Sequence, residues 1–516
     1  MSDLPRLSKR LIDSPRFPLY DGITTPRSNS FDLPEKVVQF GSGRFVRGFI
    51  EYFIDRANRQ GLFEGRVVVV QSTGSGRSDA LDKQDGLYTL VIQGVDRGKQ
   101  VESYTVISSI SRAVSAATEW AEVLACARNP EITCIISNTT EVGITLDAED
   151  HPDLNPPRSF PGKLTAFLYE RARAFSYAPE SGLVILPCEL IEQNGDVLRD
   201  IVLELARRWN LGDPFIAWLR LHNQFCNALV DRIVTGTPSE AALHAHWERL
   251  GYVDEMLTVA EVYRLWAIEG DERLKSRLPF LEADEGIVVA EDITPYRELK
   301  VRILNGTHTI MVPLSILCGN DTVLQSMEDP LVSEFIRGVM MQEIVPSLDV
   351  PVVQAEAFAE QVLDRFSNPY IEHLLINITI QATTKMQHRI IPSLLSYYER
   401  KGRLPKRILL GFAAYLLFMR STGEENGTYV GVRGTERYPI NDDRAPLLHD
   451  LWKDIDLADE DQVWAFVERV CSDESLWGVD LSRLPGLVTA VTDYVVRLAS
   501  ESPRDVLREV EEVVSR

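Results

Sequence analysis

Lys300, Asn305 and His308 stand in the stretch ELKVRILNGTHTIMVPL (298–314), where Val301, Leu304, Met311 and Leu314 recur at helical steps or their multiples. A lysine, an amide and an imidazole are costly in a core unless each has a task. On an α-helix at about 100° per residue the three fall near ~0°, ~140° and ~80°, on one side, over ~12 Å of axis. Loss of water lowers a lysine's pKa and makes it an acid and base usable near neutral pH. An amide donates to an oxygen that gains charge as a carbonyl accepts a hydride, and an imidazole holds a neighbouring hydroxyl. This is carbonyl-reducing chemistry that needs no metal. Gly306 is expected to let substrate or a neighbouring backbone approach between Asn305 and His308. A solvated lysine, an asparagine capping a kink at Gly306 and a satisfied core histidine are the plain alternative. This stretch alone leaves both readings open.

A second group of residues has the spacing of a nucleotide loop. VVQFGSGRFVRGF sets Gly41 and Gly43 between a short apolar strand and a helix, where a pyrophosphate approaches a helix N-terminus. Gly41, Ser42, Gly43, Arg44 and Phe45 are the candidate cofactor residues, although Val46 replaces the third glycine of GxGxxG and Gly48 comes two places late. The second strand ends in VVVVQSTGSGR with no acid for a ribose 2′-hydroxyl. Gln71 or Ser72 can bond the ribose, while Arg77 leaves room for a 2′-phosphate, so NAD and NADP both stay open. SNTTEVG (137–143) follows the fourth strand-like run. Asn138, Thr139, Thr140 and Glu141 are expected beside the nicotinamide ribose, with Glu141 bonding it or orienting Lys163. A structural turn and a polar loop are the plain readings of these two segments.

These side chains need a scaffold. The first third alternates apolar strands (36–41, 66–73, 132–140, 182–191) with helical runs (44–61, around 116–128, 163–175), and 88–95 with 102–114 reads as an antiparallel excursion. Continuously apolar strands between helices predict a parallel sheet covered on both faces, a Rossmann-type doubly wound α/β domain. Segments 197–209, 214–235, 239–250 and 258–268 read as helices, 286–290 as a last strand, and the rest as mainly α. The expected division is a nucleotide domain over 1–290, with its fold starting near 36, and a helical substrate domain over 291–516. The polar, glycine-rich segment 421–443 reads as a mobile loop or surface lobe.

With 516 residues, 45% hydrophobic and 25% charged, the chain is long enough for two or three domains. A net charge of -22 argues against nucleic acid and against attraction to an anionic membrane. Six scattered cysteines without CxxC spacing fit free thiols in a reducing compartment. The N-terminus has no apolar signal core, and no window reaches ~18 uninterrupted apolar residues. A cytoplasmic protein with no membrane partner is expected. The nearest histidine pair, His244 and His246, lies two apart on a helix and faces apart, so no metal site is expected.

K-x4-N-x2-H in Lys300, Asn305 and His308 resembles the signature of the polyol-specific long-chain dehydrogenases, the mannitol dehydrogenase family. QFGSGRFVRGF, QDGLYTL (84–90), NALVDRIVTGTP (227–238) and RFSNPYIEH (365–373) are similar to further stretches of that family, in order, over residues 36 to about 490. SNTTEVGI, LPCELIEQNGD, FCNALVDRIVTG and LNGTHT look like its hexuronate-reducing branch. The resemblance implies reversible hydride transfer between NADH and the keto carbon of a sugar acid. Asn305 polarises the carbonyl, Lys300 delivers the proton and His308 fixes a hydroxyl. Asp231 bonds substrate hydroxyls or tunes Lys300, with an ion pair to Arg232 or to another helix as its plain alternative. Two departures stand out. Leu190 replaces the family's second oxyanion asparagine, which leaves Asn305 with His308 alone or with Asn194 as substitute. Asn377 replaces the substrate arginine eight residues before Lys385, so Lys385, with Arg389 or His388, is expected to meet the substrate's polar end. The partner is then a small sugar acid, and the chain a monomer or homodimer. Fructuronate or mannitol chemistry, a metal-dependent epimerase and a non-catalytic nucleotide-binding protein are the alternatives.

Overall fold

Five short runs carrying Val and Ile become strands β1 (Glu35–Phe40), β2 (Arg66–Gln71), β3 (Ile110–Ser115), β4 (Cys134–Ser137) and β5 (Val184–Pro187), and the two residues Gln224–Phe225 add β6. The computed structural model, which describes residues 4–17, 20–71, 78–140, 142–236 and 238–514, pairs them in the order β3-β2-β1-β4-β5-β6. Every pairing is parallel. This is the doubly wound, Rossmann-type sheet that the sequence predicts, and its order reverses between β1 and β4. Alternate residues feed two cores. Val37, Val67, Val69 and Ile136 pack with Phe49 and Phe53 on one face. Val38, Phe40, Val68, Val70 and Ile135 pack with Trp120, Phe160 and Phe167 on the other.

By its contacts the chain divides into Met1–Gly94 with Gln100–Ile293, and Val95–Lys99 with Thr294–Arg516. The first unit departs from the sequence reading in four places. The single helix expected over 44–61 breaks at Phe49 (φ -133°, ψ -77°) into α1 (Arg44–Gly48) and α2 (Ile50–Gln60), and α2 stops at Gly61 as expected. The run 102–114 divides at Ser108, whose N–H and hydroxyl both donate to Asp55 Oδ1, and β3 then joins the parallel sheet. Segment 214–235 is helical only over Asp213–His222 before strands take over. Segment 258–268, expected as helix, is extended. Thr258–Ala260 lies parallel to Tyr88–Asp96, and a three-stranded sheet joins β7 (Ala228–Asp231), β8 (Leu265–Glu269) and β9 (Ile287–Ala290). Tertiary pairing overrides weak helical spacing in such short runs.

The second unit is mainly helical, with α3 (Thr307–Leu317), α4 (Val352–Phe366), α5 (Ile391–Lys401), α6 (Lys406–Phe418) and α7 (Leu487–Ser500) among its longer members. Three segments are wound as π-helix: Leu299–Gly306, Val339–Ile344 and Met386–Ile390. Segment 421–443, expected as a mobile loop or a surface lobe, is a three-stranded antiparallel sheet of Ser421–Glu425, Thr428–Arg433 and Glu436–Ile440. It is held down by Tyr438, which stacks on Phe418 at 4.6 Å and donates to the Phe418 carbonyl. Among the described residues no helix is long and apolar enough to cross a membrane.

Candidate functional site

The nucleotide loop begins where β1 ends. Gly41 turns at φ +115°, its N–H donates to Val70 O, and a Cβ there would stand 2.4 Å from Asn138 O. Only glycine fits that turn. A Cβ on Gly43 would meet nothing within 4 Å, and the N–H groups of Ser42 and Gly43 have no partner among the described residues. Open space before the start of a helix, with unpaired donors facing it, fits a pyrophosphate. Ser42 and Arg44 are half-buried beside it, and Phe45 stacks on Phe49 at 4.9 Å.

The loop is held from behind. Gln39 Nε2 donates to Gly41 O and to Glu51 Oε1, while Tyr88 Oη lies 2.7 Å from Arg47 O and 2.9 Å from Glu51 Oε2. Burial raises the Glu51 carboxyl's pKa against those bonds. The QDGLYTL motif is therefore a clamp on α1. The NALVDRI motif is another: Arg232 donates to Gly48 O and to Glu261 O, and a Cβ on Gly48 would press on Val234 at 2.7 Å. Arg232 spends its donors on carbonyls, so it forms no ion pair with Asp231, a buried carboxylate at the end of β7.

Asn138, Thr139 and Thr140 follow β4 at the same end of the sheet. Asn138 Nδ2 donates to Cys188 O, and Thr139 gives both its N–H and its hydroxyl to Glu189 Oε1. Ser137 Oγ donates to Glu189 Oε2. Burial raises the Glu189 pKa while these bonds oppose it. Glu189 is thus a clamp on the 137–139 loop, and Thr139's hydroxyl is already committed to it. Lys163 donates to Arg158 O. Glu141, Ser72 and Arg77 lie outside the described residues. Gln71, buried at the end of β2, has an Nε2 with no partner among the described residues, in the place where an acid usually holds a ribose.

One assignment is corrected. Asn194, expected as a substitute oxyanion amide, is fully buried: Nδ2 donates to the carbonyls of Pro187, Glu189 and Ala228, and Oδ1 accepts from Gly195 and Ala228. Nothing remains for a substrate. Leu190, where the family carries its second asparagine, is 61% exposed.

In the second unit, Lys300 and Asn305 lie in the π-helix Leu299–Gly306, and His308 opens α3. The α-helical angles expected from the sequence therefore do not apply. With i→i+5 bonding the turn is wider, and residues five apart, such as Lys300 and Asn305, come round to the same side. Asn305's side-chain amide has no hydrogen bond among the described residues, although its main-chain O accepts from Thr309 Oγ1 at 2.7 Å. His308 stacks on Phe366 at 4.1 Å and meets His373 edge-on at 5.1 Å, while its Nε2 is buried without a partner. Burial first, then the positive ends of His373, Arg365, Arg389 and Lys385, hold its pKa well below the usual imidazole value. His308 is neutral. Lys300 is half-buried.

A second π-helix, Met386–Ile390, packs against the first and carries Arg389. Lys385, just before it, donates to Ile378 O at 2.8 Å, and Arg389 Nη1 donates to Thr309 Oγ1 at 3.3 Å. Asn377 and His388 are exposed. A Cβ on Gly306 would lie 3.5 Å from Arg389 O, an ordinary contact, so close backbone approach does not explain that glycine. Among the described residues no three potential ligands converge as a metal site.

Residues 35–282 match the mannitol dehydrogenase Rossmann domain and residues 292–499 the mannitol dehydrogenase C-terminal domain. The chain is 40% identical to altronate oxidoreductase of Halalkalibacterium halodurans over 95% of its own length and 96% of that relative's. It is 41% identical to altronate oxidoreductase of Bacillus subtilis over 90% and 92%. Two solved structures share the fold. One is Pseudomonas fluorescens mannitol 2-dehydrogenase in complex with NAD and D-mannitol, at TM-score 0.66 and 24% identity, with 98% of this chain and 99% of that one covered. The other is a substrate-free D-sorbitol dehydrogenase, at TM-score 0.75 and 22% identity over the same shares. The chain belongs to the mannitol dehydrogenase family of oxidoreductases.

Proposed function

We propose that this chain is an NAD-dependent dehydrogenase that interconverts the keto-hexuronate tagaturonate and altronate. The observation that carries the reading is the turn in the second unit, where the Asn305 amide and His308 Nε2 stand without partners beside Lys300. A buried ring nitrogen is ordinarily bonded, so His308 Nε2, left open near the half-buried Asn305 amide, is ready for a ligand. Similarity to altronate oxidoreductases over nine-tenths of the chain supports the choice of substrate.

NADH, held by the turn from Gly41 to Phe45 with Asn138 and Thr140 nearby, supplies the hydride. The Asn305 amide donates to the carbonyl oxygen, which gains charge as the keto carbon is reduced. Lys300 Nζ gives that oxygen its proton and takes it back in the reverse direction. His308, neutral, bonds an adjacent hydroxyl through a ring nitrogen without adding charge. Asp231 is assigned to substrate hydroxyls or to tuning of Lys300, and Lys385 to the substrate's polar end. The proton comes from a side chain, so the reaction as written requires no metal. The free cysteines suit a cytoplasmic enzyme.

NADH consumption with tagaturonate, fructuronate and fructose, run in parallel with NADPH and with EDTA, tests this. Tagaturonate should give the highest kcat/KM, with NADH and in EDTA. Fructose as the best substrate overturns it.

A further inference from the structure

The surroundings of His308 are cationic in a chain whose net charge is -22. Arg365 from α4, His373 from the connection after it, Lys385 from the short helix Ala382–Lys385 and Arg389 from the second π-helix all act on that imidazole. Neither Lys385 nor Arg389 forms an ion pair among the described residues. Arg389 is half-buried, and its one hydrogen bond goes to a threonine hydroxyl. Burial alone lowers its pKa, and burial also lowers that of His373. A partly buried guanidinium normally sits against a carboxylate, because desolvating its charge is otherwise unfavourable. Here the protein supplies none.

The guanidinium is also well placed. Arg389 Nη1 bonds Thr309 Oγ1, and that hydroxyl donates to the main-chain oxygen of Asn305. Two hydrogen bonds thus tie it to the turn that carries Asn305, with Nη2 and Nε left to form a fork.

We propose that Arg389, with Lys385 near it, binds the carboxylate of the sugar-acid substrate and sets the preference for sugar acids over neutral polyols. The inference rests on the reading of the chain as a hexuronate dehydrogenase and assigns the residue behind that choice. The missing counter-ion is then the substrate's own carboxylate, held bidentately as guanidinium geometry favours. Asn377, at the family's arginine position, is exposed and neutral, and the charge comes instead from the next turn of chain.

The test compares tagaturonate with D-tagatose, in which CH2OH replaces the carboxylate. Tagatose is followed as a substrate or, if it is not reduced, as an inhibitor. In Arg389→Gln the preference for the acid over the neutral sugar should fall by at least about tenfold, with Arg389→Lys between the two. A smaller fall in Arg389→Gln overturns the assignment. If Arg389→Gln does not fold, Arg389→Lys, which keeps the charge but loses the fork, should lower the preference by at least about threefold, and an unchanged preference overturns the assignment. Wild-type protein that reduces no keto-hexuronate refutes the functional reading instead, and so separates the two failures.

Discussion

The nucleotide loop of the first unit and the π-helical turn of the second treat polar groups in opposite ways. Around Gly41 the side chains that brace the loops are bonded: Gln39 Nε2 to Gly41 and Glu51, Glu189 to Ser137 and Thr139, Asn194 to four residues, while Gln39 Oε1 and Gln71 Nε2 stay open. Around Gly306 the reverse holds. Asn305 offers an unbonded amide, His308 a buried bare nitrogen, and Arg389 a guanidinium without a counter-ion. A saturated network fixes backbone, so the first region presents N–H groups to a cofactor through shape. An unsaturated one waits for a ligand and presents side chains. On the proposed reading, the difference separates residues that build a site from those that act in it.

The sharpest way to break this comparison is Lys300→Ala. Removing a proton donor should cut turnover by roughly 10²–10⁴-fold. NADH affinity, measured by fluorescence titration, should change less than about threefold, because the nucleotide loop belongs to the other unit. Retained turnover with an unaltered pH profile removes Lys300 from the role of proton donor.

Asn194→Ala probes the saturated region. It strips a buried carboxamide of contacts to Pro187, Glu189, Gly195 and Ala228, which should cost about 2–4 kcal/mol of stability. The folded remainder should keep its KM for substrate within about twofold. A large KM effect with unchanged stability would return Asn194 to the substrate site. Gly41→Ala should be comparably costly, since a Cβ at φ +115° collides with Asn138 O.

This distinction was not legible in the sequence. Val and Ile runs announced the parallel sheet, because a strand buried on both faces must be continuously apolar. The same logic failed for Thr258–Ala260 and Leu265–Glu269, too short to carry a period of their own. The proposed trio of Lys300, Asn305 and His308 is picked out by residue type and spacing. Its winding is not, since nothing in the residue types of Leu299–Gly306 marks it as π-wound rather than α-wound. Asn194 looked available because an asparagine in sequence does not reveal whether its amide is already bonded. Glu189 followed an apolar strand in plain sight, but its role as a clamp depends on a loop about fifty residues earlier.

His308 gives a smaller effect with a defined sign. Its folded pKa lies well below the value of about 6.5 expected when unfolded. As pH falls below about 6.5 the unfolded chain takes up a proton that the folded chain refuses, so stability is present above that value and lost below it. In His308→Gln, chemical denaturation at about pH 7.5 and about pH 5 should show a shallower acid loss than wild type. His373, lowered in the same direction, keeps part of the slope. An unchanged slope means that His308 is not held neutral.

Gly306→Ala should do least, and for that reason it discriminates well. The residue lies at φ -64°, and an added Cβ would meet Arg389 O, Ile390 Cδ1 and Val301 O at 3.5–3.6 Å, all ordinary contacts. Helix propensity then favours alanine by up to ~1 kcal/mol, so the unfolding midpoint should stay or rise slightly. The π-helix Leu299–Gly306 and its neighbour Met386–Ile390 need no relocation, and kcat should stay within a fewfold of wild type. A large loss of kcat with intact stability gives a different lesson. The glycine would then serve the approach of substrate to Asn305 and His308, and the open chemistry of this turn would extend from its side chains to its backbone.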